Sequence, residues 1–549
     1  MVSGFLIAVV AAPLALYLFL LAAWHLLRRY LIARSGINDL KYLNGHGRKD
    51  GERFKGTAVI CGGSITGLIT ARVCHDFFER VLIIEPEAWV GTPDGLIEKA
   101  WEHKNSRGRV MQWNSLHACQ GFVYRGLCAL LPNFTQEATK SGINILPGDF
   151  GYTFSGALSI IPWKKYGKDK PMTLYTSRPG FETLIRRLVL NKKNFPRIEQ
   201  MAGTVTGIIP DPNNKSRIGK VAVRTEEGNE EVDAMLVADC TGITRAGLKW
   251  LERAGYGYGD KYSKNNLPLN EIRIAFDQKL YYSTFMFDLT PDEMDTLAVP
   301  GGLRNAGHIA TYLEAAPGES PKFLLMMKPD GDRVMLFGGH CGDHLEAPRT
   351  VNDLRELTKS LVLDTPVPGY IFKLFDQLEH HGPDTMHVST VRVPGTAYLR
   401  YHLGTNLPAN FIVLGDAEMS VNPRYGQGAT KAVFGVIGLH NVLRGEEGSV
   451  LSPGFAKHFF REQFEKTDAF WQSTRALDYG CPETEPIPGE SLAEGEFLRK
   501  YLWQIQLMST TDPDCGALIY ESTQAINTPI DMFHPNLAIK VFRRMILGF

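Results

Sequence analysis

The sequence predicts an α/β fold built on a βαβ dinucleotide-binding unit, with a region of antiparallel strands, a helical C-terminal region and a membrane-spanning helix in front. Three observations carry this. A strand, glycine turn and helix are legible between Ala58 and Glu87; a second buried strand ends in Gly415-Asp416 and leads to a long apolar helix; and 24 residues from Gly4 to Leu27 contain no Asp, Glu, Lys or Arg.

The first unit reads AVICGGSITGLITARVCHDFFERVLIIEPE. Its apolar runs predict a strand over Thr57–Cys61, a helix from Ile65 to about Phe78 and a strand over Val81–Ile84 that ends at Glu85. Gly62 permits the tight turn off the strand, and Gly67 lets the helix sit close on the sheet. The helix N-terminus presents unpaired N–H groups to a pyrophosphate, and Glu85 is placed to accept hydrogen bonds from a ribose. Ser64 stands where GxGxxG has its middle glycine, which a negative φ would allow. On its own the pattern also fits a βαβ turn that binds nothing.

At 549 residues the chain suits two or three domains. Lys plus Arg and Asp plus Glu are equal at 59 each, so no net field favours nucleic acid. The Arg186-Arg187 pair is expected on a solvated helix face. Eight cysteines form no CxxC pair and no Cys/His ligand set, which argues against a zinc site or a disulfide framework and fits a reducing compartment. No metal site is expected.

As a helix the Gly4–Leu27 segment is ~36 Å long, enough for a hydrocarbon core of ~30 Å. Arg28, Arg29 and Arg34 follow at once, so the positive-inside rule places the body in the cytosol. The sequons at Asn133 and Asn214 then go unused. Residues Ser35 to Gly56, polar and glycine-containing, read as a linker. The expectation is a single-pass protein of the endoplasmic reticulum with a cytosolic catalytic body.

The second unit, FIVLGDAEMSVNPRYGQGATKAVFGVIGLHNVL, predicts a buried strand over Phe411–Leu414 and a helix starting near Gly428. Asp416 is placed to bond a ribityl or ribose hydroxyl. The N–H groups around Gly426, Gln427, Gly428 and Ala429, behind Pro423, would face developing negative charge at a helix N-terminus.

GDAxxxxxPxxGQG, with a glycine turn more than 300 residues upstream, is similar to the second flavin-binding signature of class A FAD-dependent monooxygenases. RPGFETLIRRLVL places Arg178 like the arginine that contacts FAD in that family. RGRVMQWNSLHACQ resembles a segment of polyether- and polyene-type epoxidases through Arg107, Val110, Gln112 and His117, with Met111 replacing a proline. LVADCTGITRAGLKWLERAGYG and the tail INTPIDMFHPNLAIKVFRR also look like theirs, so the resemblance runs from about Thr57 to Arg544. Within it, GGS-I-x-G-L is a subgroup form of the glycine turn, which accounts for Ser64. Cys240-Thr241 stands in place of an Asp-Gly pair, so no nicotinamide contact is carried over.

The resemblance implies a GR2/PHBH-like FAD-binding fold, with FAD held by Gly62, Ser64, Gly67, Glu85, Arg107, Arg178, Asp416, Pro423, Gly426, Gln427, Gly428 and Ala429. The FAD-binding domain is expected to be discontinuous (57–130, 177–245, 411–443). A substrate domain (131–176, 246–410) would include KFLLMMKP and RVMLFGGH as antiparallel strands, and a helical region (444–549) would cover the pocket. NADPH or NADH would visit as co-substrate, since no second nucleotide turn is visible. The implied reaction is insertion of one oxygen atom of O2 into a lipophilic small molecule, foremost alkene epoxidation in polyketide or terpenoid secondary metabolism. Aromatic hydroxylation, halogenation, prenyl-chain reduction and a tethered flavoprotein scaffold remain as alternatives. No catalytic side chain is named; His117, Tyr425 and His340 are the candidates. No obligatory protein partner is expected.

Overall fold

The computed structural model describes residues 2–45, 47–313 and 321–547. Its organising layer is a five-stranded sheet in the order Phe411–Val413, Leu236–Asp239, Phe54–Cys61, Phe78–Glu85, Ile198–Ala202. All neighbours are parallel. Val59, Ile60, Val81, Ile83, Val237 and Ile412 are buried, the near-continuous apolar run of a sheet covered on both faces. Cys61 pairs with both Ile84 and Asp239, and Asp239 pairs with Val413, so four strands end level with one another. In such sheets ligands bind outside the carboxyl ends of the strands.

Helix Ile65–His75 packs on this sheet, beside helices Arg178–Val189 and Gly428–Gly445. It ends three residues earlier than expected, because Phe78 already pairs with Phe54 in a strand that starts before Val81. Likewise the first strand begins at Phe54 rather than Thr57. Between Ile198–Ala202 and Leu236–Asp239 the chain forms a three-stranded antiparallel sheet, Thr204–Asp211, Asn214–Arg224 and Asn229–Asp233.

A second, seven-stranded sheet runs Met386–Arg392, Leu280–Asp288, Arg333–Cys341, Lys322–Met327, His308–Leu313, Tyr152–Phe154, Ala157–Leu158. The two stretches read as antiparallel strands pair in that way, Leu325 opposite Phe337. Side chains alternate between faces. Leu324, Met326, Val334 and Leu336 pack with Leu354, Ile371 and Phe375 of helices Val351–Lys359 and Gly369–Leu378. Phe323, Leu325 and Phe337 belong to a separate cluster on the other face, with Tyr282.

The N-terminal helix spans Val2–Arg34, and its stretch Ala11–Arg34 is long and apolar enough to cross a membrane. It touches the C-terminal region: Trp24 Nε1 donates to Ile530 O at 2.9 Å, and Arg28 Nε to Asp531 Oδ1 at 2.5 Å. The 35–56 segment is not a free linker. Ile37–Tyr42 forms a 3-10 turn with Leu40 and Leu43 buried in the main core. Asp39 accepts from Asn441 Nδ2 at 2.8 Å and pairs with Lys466 at 3.1 Å. Helices Phe455–Asp478, Glu496–Met508, Pro513–Thr523 and Pro535–Leu547 complete the chain.

Candidate active site

A cavity of about 360 Å³ opens at the carboxyl ends of the parallel strands and extends to the inner face of the seven-stranded sheet. Gly62 turns the chain into it with φ +111°, and a Cβ there would lie 2.5 Å from the carbonyl oxygen of Cys240. A Cβ on Gly67 would come within 1.8 Å of Gly62 O, so this glycine is required by the helix's approach to the turn. Ser64 has φ −91°, open to any residue, and makes no side-chain cap to its helix. Its hydroxyl instead donates to Glu182 Oε2 at 2.6 Å and accepts from Arg178 Nη2 at 2.8 Å.

Glu85 is buried at the end of its strand. Its carboxylate accepts from Gly63 N at 2.8 Å and Glu87 N at 3.0 Å, and pairs with Arg107 Nη2 at 2.9 Å. An ionised carboxylate offers about four acceptor sites, so roughly one is left for a ligand hydroxyl. Arg107, only 3% exposed, also pairs with Glu87 and Glu182.

Glu182 is the centre of this network and has no exposed surface. Arg178, Glu182 and Arg186 stand four residues apart on one face of their helix. Arg178 Nη2 bonds Glu182 at 3.0 Å and Arg186 Nη2 at 2.7 Å. Burial alone would raise the carboxyl's pKa, but Arg186, Arg107 and Arg178 outweigh it and hold it well below the carboxylate range. The expectation of a solvated face is therefore wrong for Arg186, which is buried and also donates to Gly63 O. It holds no better for Arg187, whose guanidinium pairs with Glu137 at 2.6 Å. Glu182 was not singled out from sequence, although the Arg-Glu-Arg spacing carries its signal.

From the other side, Gly415 (φ +69°) turns the chain so that Asp416 faces the cavity with 45% of its side chain exposed. Lys431 Nζ, itself buried, bonds Asp416 Oδ1 at 2.9 Å. Burial raises the Asp416 pKa, yet Lys431, Arg178 and Arg245 bring it below its ordinary value. The short turn Pro423–Tyr425 and Gly426 (φ +64°) lead into the helix that starts at Gly428. Nothing lies within 4 Å of a Cβ built on Gly428, so this helix N-terminus is open.

Of the expected FAD-contact residues, Gly62, Ser64, Glu85, Arg107, Arg178, Asp416, Pro423, Gly426, Gly428 and Ala429 line the one cavity. Gly67 lies behind the turn, and Gln427 aims its side chain at the Thr474 hydroxyl, 3.5 Å away. These surroundings fit a dinucleotide carrying a flavin. Arg178 Nε is buried with no partner, two helix N-termini open on the cavity, and Asp416 and Glu85 retain acceptor capacity for sugar hydroxyls.

His117 lines the cavity and its Nδ1 lies 2.9 Å from Ser115 O; burial and then Arg178 push its pKa down to about 4, so it is neutral at pH 7. Tyr425 also lines it and donates to Asp478 Oδ1 at 2.8 Å. His340 stacks on Tyr281 on a sheet strand and is not part of the wall. All eight cysteines are free thiols. Among the described residues one group with metal-ligand chemistry lies outside the cavity wall, unseen in the sequence because Glu293 is far in the chain from His380-His381: Glu293 Oε1 lies 3.1 Å from His380 Nε2 and 2.9 Å from His381 Nε2.

No protein-family model matches the chain. Protein Rv3254 of Mycobacterium tuberculosis is 23% identical over 471 residues, covering 84% of this chain and 87% of its own. Among solved structures, a flavoprotein/dehydrogenase from Cytophaga hutchinsonii superposes with TM-score 0.54 at 11% identity, over 90% of this chain and all of its own. PqsL, a probable FAD-dependent monooxygenase from Pseudomonas aeruginosa, gives 0.50 at 17% identity over 77% of this chain and 96% of its own. OxyS, the anhydrotetracycline hydroxylase of Streptomyces rimosus, gives 0.50 at 15% over 86% and 76%. The chain thus has the α/β fold, with its parallel sheet, of the FAD-binding monooxygenases and related flavoproteins.

Proposed function

We infer that the protein is an FAD-dependent monooxygenase that inserts one oxygen atom of O2 into a lipophilic substrate, with NADPH or NADH as reductant. The observation that carries this reading is the convergence of two sequence signatures more than 300 residues apart on one cavity, one at each side of it. The names of PqsL and OxyS, a probable monooxygenase and a hydroxylase, point the same way. Residues 57–130, 177–245 and 411–443 would form the FAD-binding domain, with 131–176 and 246–410 as substrate domain and 444–549 as the helical region. All but the first three residues of the parallel sheet and all of the seven-stranded sheet fall within those bounds.

FAD, when bound, supplies the redox chemistry that activates dioxygen. The chain's own residues do the rest. Gly62 and the N-terminus at Ile65 would admit the cofactor's pyrophosphate, Glu85 and Asp416 would accept from its sugar hydroxyls, and the amides from Gly426 to Ala429 would hold its ring end. Leu325, Phe337 and Phe150 line the far end and exclude water from the reacting centre. That end is lined mainly by apolar and aromatic groups, which favours alkene epoxidation over phenol hydroxylation and suits a polyketide or terpenoid of secondary metabolism. The Val2–Arg34 helix would anchor the body to the cytosolic face of the endoplasmic reticulum, where apolar substrates dissolve.

The test is purification of the full chain, quantification of FAD, and turnover under oxygen-18 gas with candidate polyenes. A yellow protein whose product gains one labelled oxygen supports the reading. A colourless protein, label from water alone, or strict chloride dependence overturns it.

A further inference from the structure

Four arginines line the cavity: Arg107, Arg109, Arg178 and Arg424. Arg107 and Arg178 are neutralised by Glu182 and its neighbours, and Arg109 is exposed. Arg424 differs. It is half-buried, and among the described residues its guanidinium forms no ion pair and no side-chain hydrogen bond. Its Nε is buried without a partner. The cation lies near two rings, with its Cζ 5.5 Å from the centre of Phe323 and 5.9 Å from that of Tyr425.

The turn that presents it is firmly held. Asn422, buried, accepts from Arg424 N at 2.9 Å and donates to Asp478 Oδ1 at 2.8 Å. Two residues later Gly426 begins the approach to the helix N-terminus, so Arg424 lies where the expected ring end meets the inner face of the second sheet. That end of the cavity is otherwise dominated by apolar and aromatic groups: Phe150, Tyr152, Leu325 and Phe337. Asp478, the last residue of helix Phe455–Asp478, faces this turn; its Oδ1 accepts from Asn422 Nδ2 and from the Tyr425 hydroxyl, and burial pushes its pKa up to about 7. Burial lowers the pKa of the guanidinium, but Tyr425, Cys341 and Asp478 outweigh it and raise it; Asp478 thus acts on Arg424 through the field and makes no direct ion pair with it.

A guanidinium on a cavity wall with a buried, unpartnered Nε and no carboxylate in direct contact has donors left for an anion. Its planar fork suits a carboxylate or an enolate oxygen pair. We propose that Arg424 anchors an acidic group of the substrate, so that the enzyme takes apolar molecules bearing one carboxylate or acidic enol and discriminates against their neutral counterparts. This rests on reading the cavity's far end as the substrate chamber, and it narrows the substrate class from lipophilic molecules in general to lipophilic acids.

The experiment is calorimetric titration of the purified full-length chain in one detergent with two probe pairs. These are farnesoic acid against its methyl ester, and 2-geranyl-1,3-cyclohexanedione against its enol methyl ether. In at least one pair the acid should bind tenfold or more tightly than the neutral partner, and which pair does so tells carboxylate from enol. Arg424→Gln should abolish that preference while leaving the neutral partner's affinity unchanged, and Arg424→Lys should restore part of it. Equal binding of acid and neutral partner by the native chain, binding of neither acid, or an undiminished preference in Arg424→Gln overturns the proposal. Should the glutamine variant melt early, the native comparison decides alone. Flavin content of the same samples is a separate readout: a colourless protein counts against the flavin reading, while the heats still report on Arg424.

Discussion

Ser64 donates its hydroxyl to Glu182 at 2.6 Å, across 118 residues of sequence, and so ties the glycine turn of the first strand to the charged face of a distant helix. The position that breaks the usual glycine pattern is thereby the one that joins turn and network. Ser64→Gly should still admit FAD, because φ −91° imposes no strain either way. It should lower stability by about 1.5 kcal/mol, the value of a hydrogen bond to a charged group. Chemical denaturation with flavin absorbance checks both; full loss of flavin would contradict the structural role assigned to the serine.

Removal of the carboxylate itself should be far more severe. Glu182→Gln leaves Arg107, Arg178 and Arg186 converging on a neutral group. Breaking a buried ion pair on one side costs about 3–5 kcal/mol, so the variant should unfold at markedly lower denaturant concentration and purify with depleted flavin.

The same carboxylate sets a pH dependence. Its pKa is depressed in the folded state, so its contribution is complete above the unfolded value of about 4.3 and is lost progressively as pH falls below it. Native protein should lose stability steeply over that acid range. A Glu182→Gln variant, having no such group to protonate, should show a shallower slope; identical slopes would mean that Glu182 does not carry the effect.

Much of this arrangement was legible in the sequence because it is local. A glycine turn after an apolar run, and Gly-Asp after another, announce strand ends by residues next to one another in the chain. What stayed hidden is long-range. Arg186-Arg187 reads as a solvated face because Gly63 and Glu137, which receive them, are 123 and 50 residues away. Asp39 and Leu43 look like linker residues until Lys466, Asn441 and the core close over them. Lys431 sits within an apolar helix, where nothing in the periodicity says that its amine reaches back to Asp416.

Asp416 and Lys431 give a test of the cofactor side. Asp416→Ala should leave the fold largely intact but release FAD, because the sugar hydroxyls would lose the acceptor proposed for them and the Lys431 amine loses its carboxylate. The direct loss is about 1–3 kcal/mol. Lys431→Met should rescue stability in the Asp416→Ala background by removing the unpaired buried charge, yet not restore flavin. Full flavin occupancy in Asp416→Ala would remove the aspartate from the site.

Orientation across a membrane can be read from the two sequons. Asn133 and Asn214 are both exposed, the first just before helix Phe134–Lys140 and the second at the start of strand Asn214–Arg224. A luminal body would therefore offer accessible acceptors, and missing sugar cannot be blamed on burial. With Arg28, Arg29 and Arg34 at the body's end of the Val2–Arg34 helix, the body should face the cytosol. Both asparagines should then be unmodified in protein recovered from microsomes, and protease added to intact vesicles should digest the body. An endoglycosidase-sensitive mass shift, or a body protected until detergent is added, would place it on the luminal side.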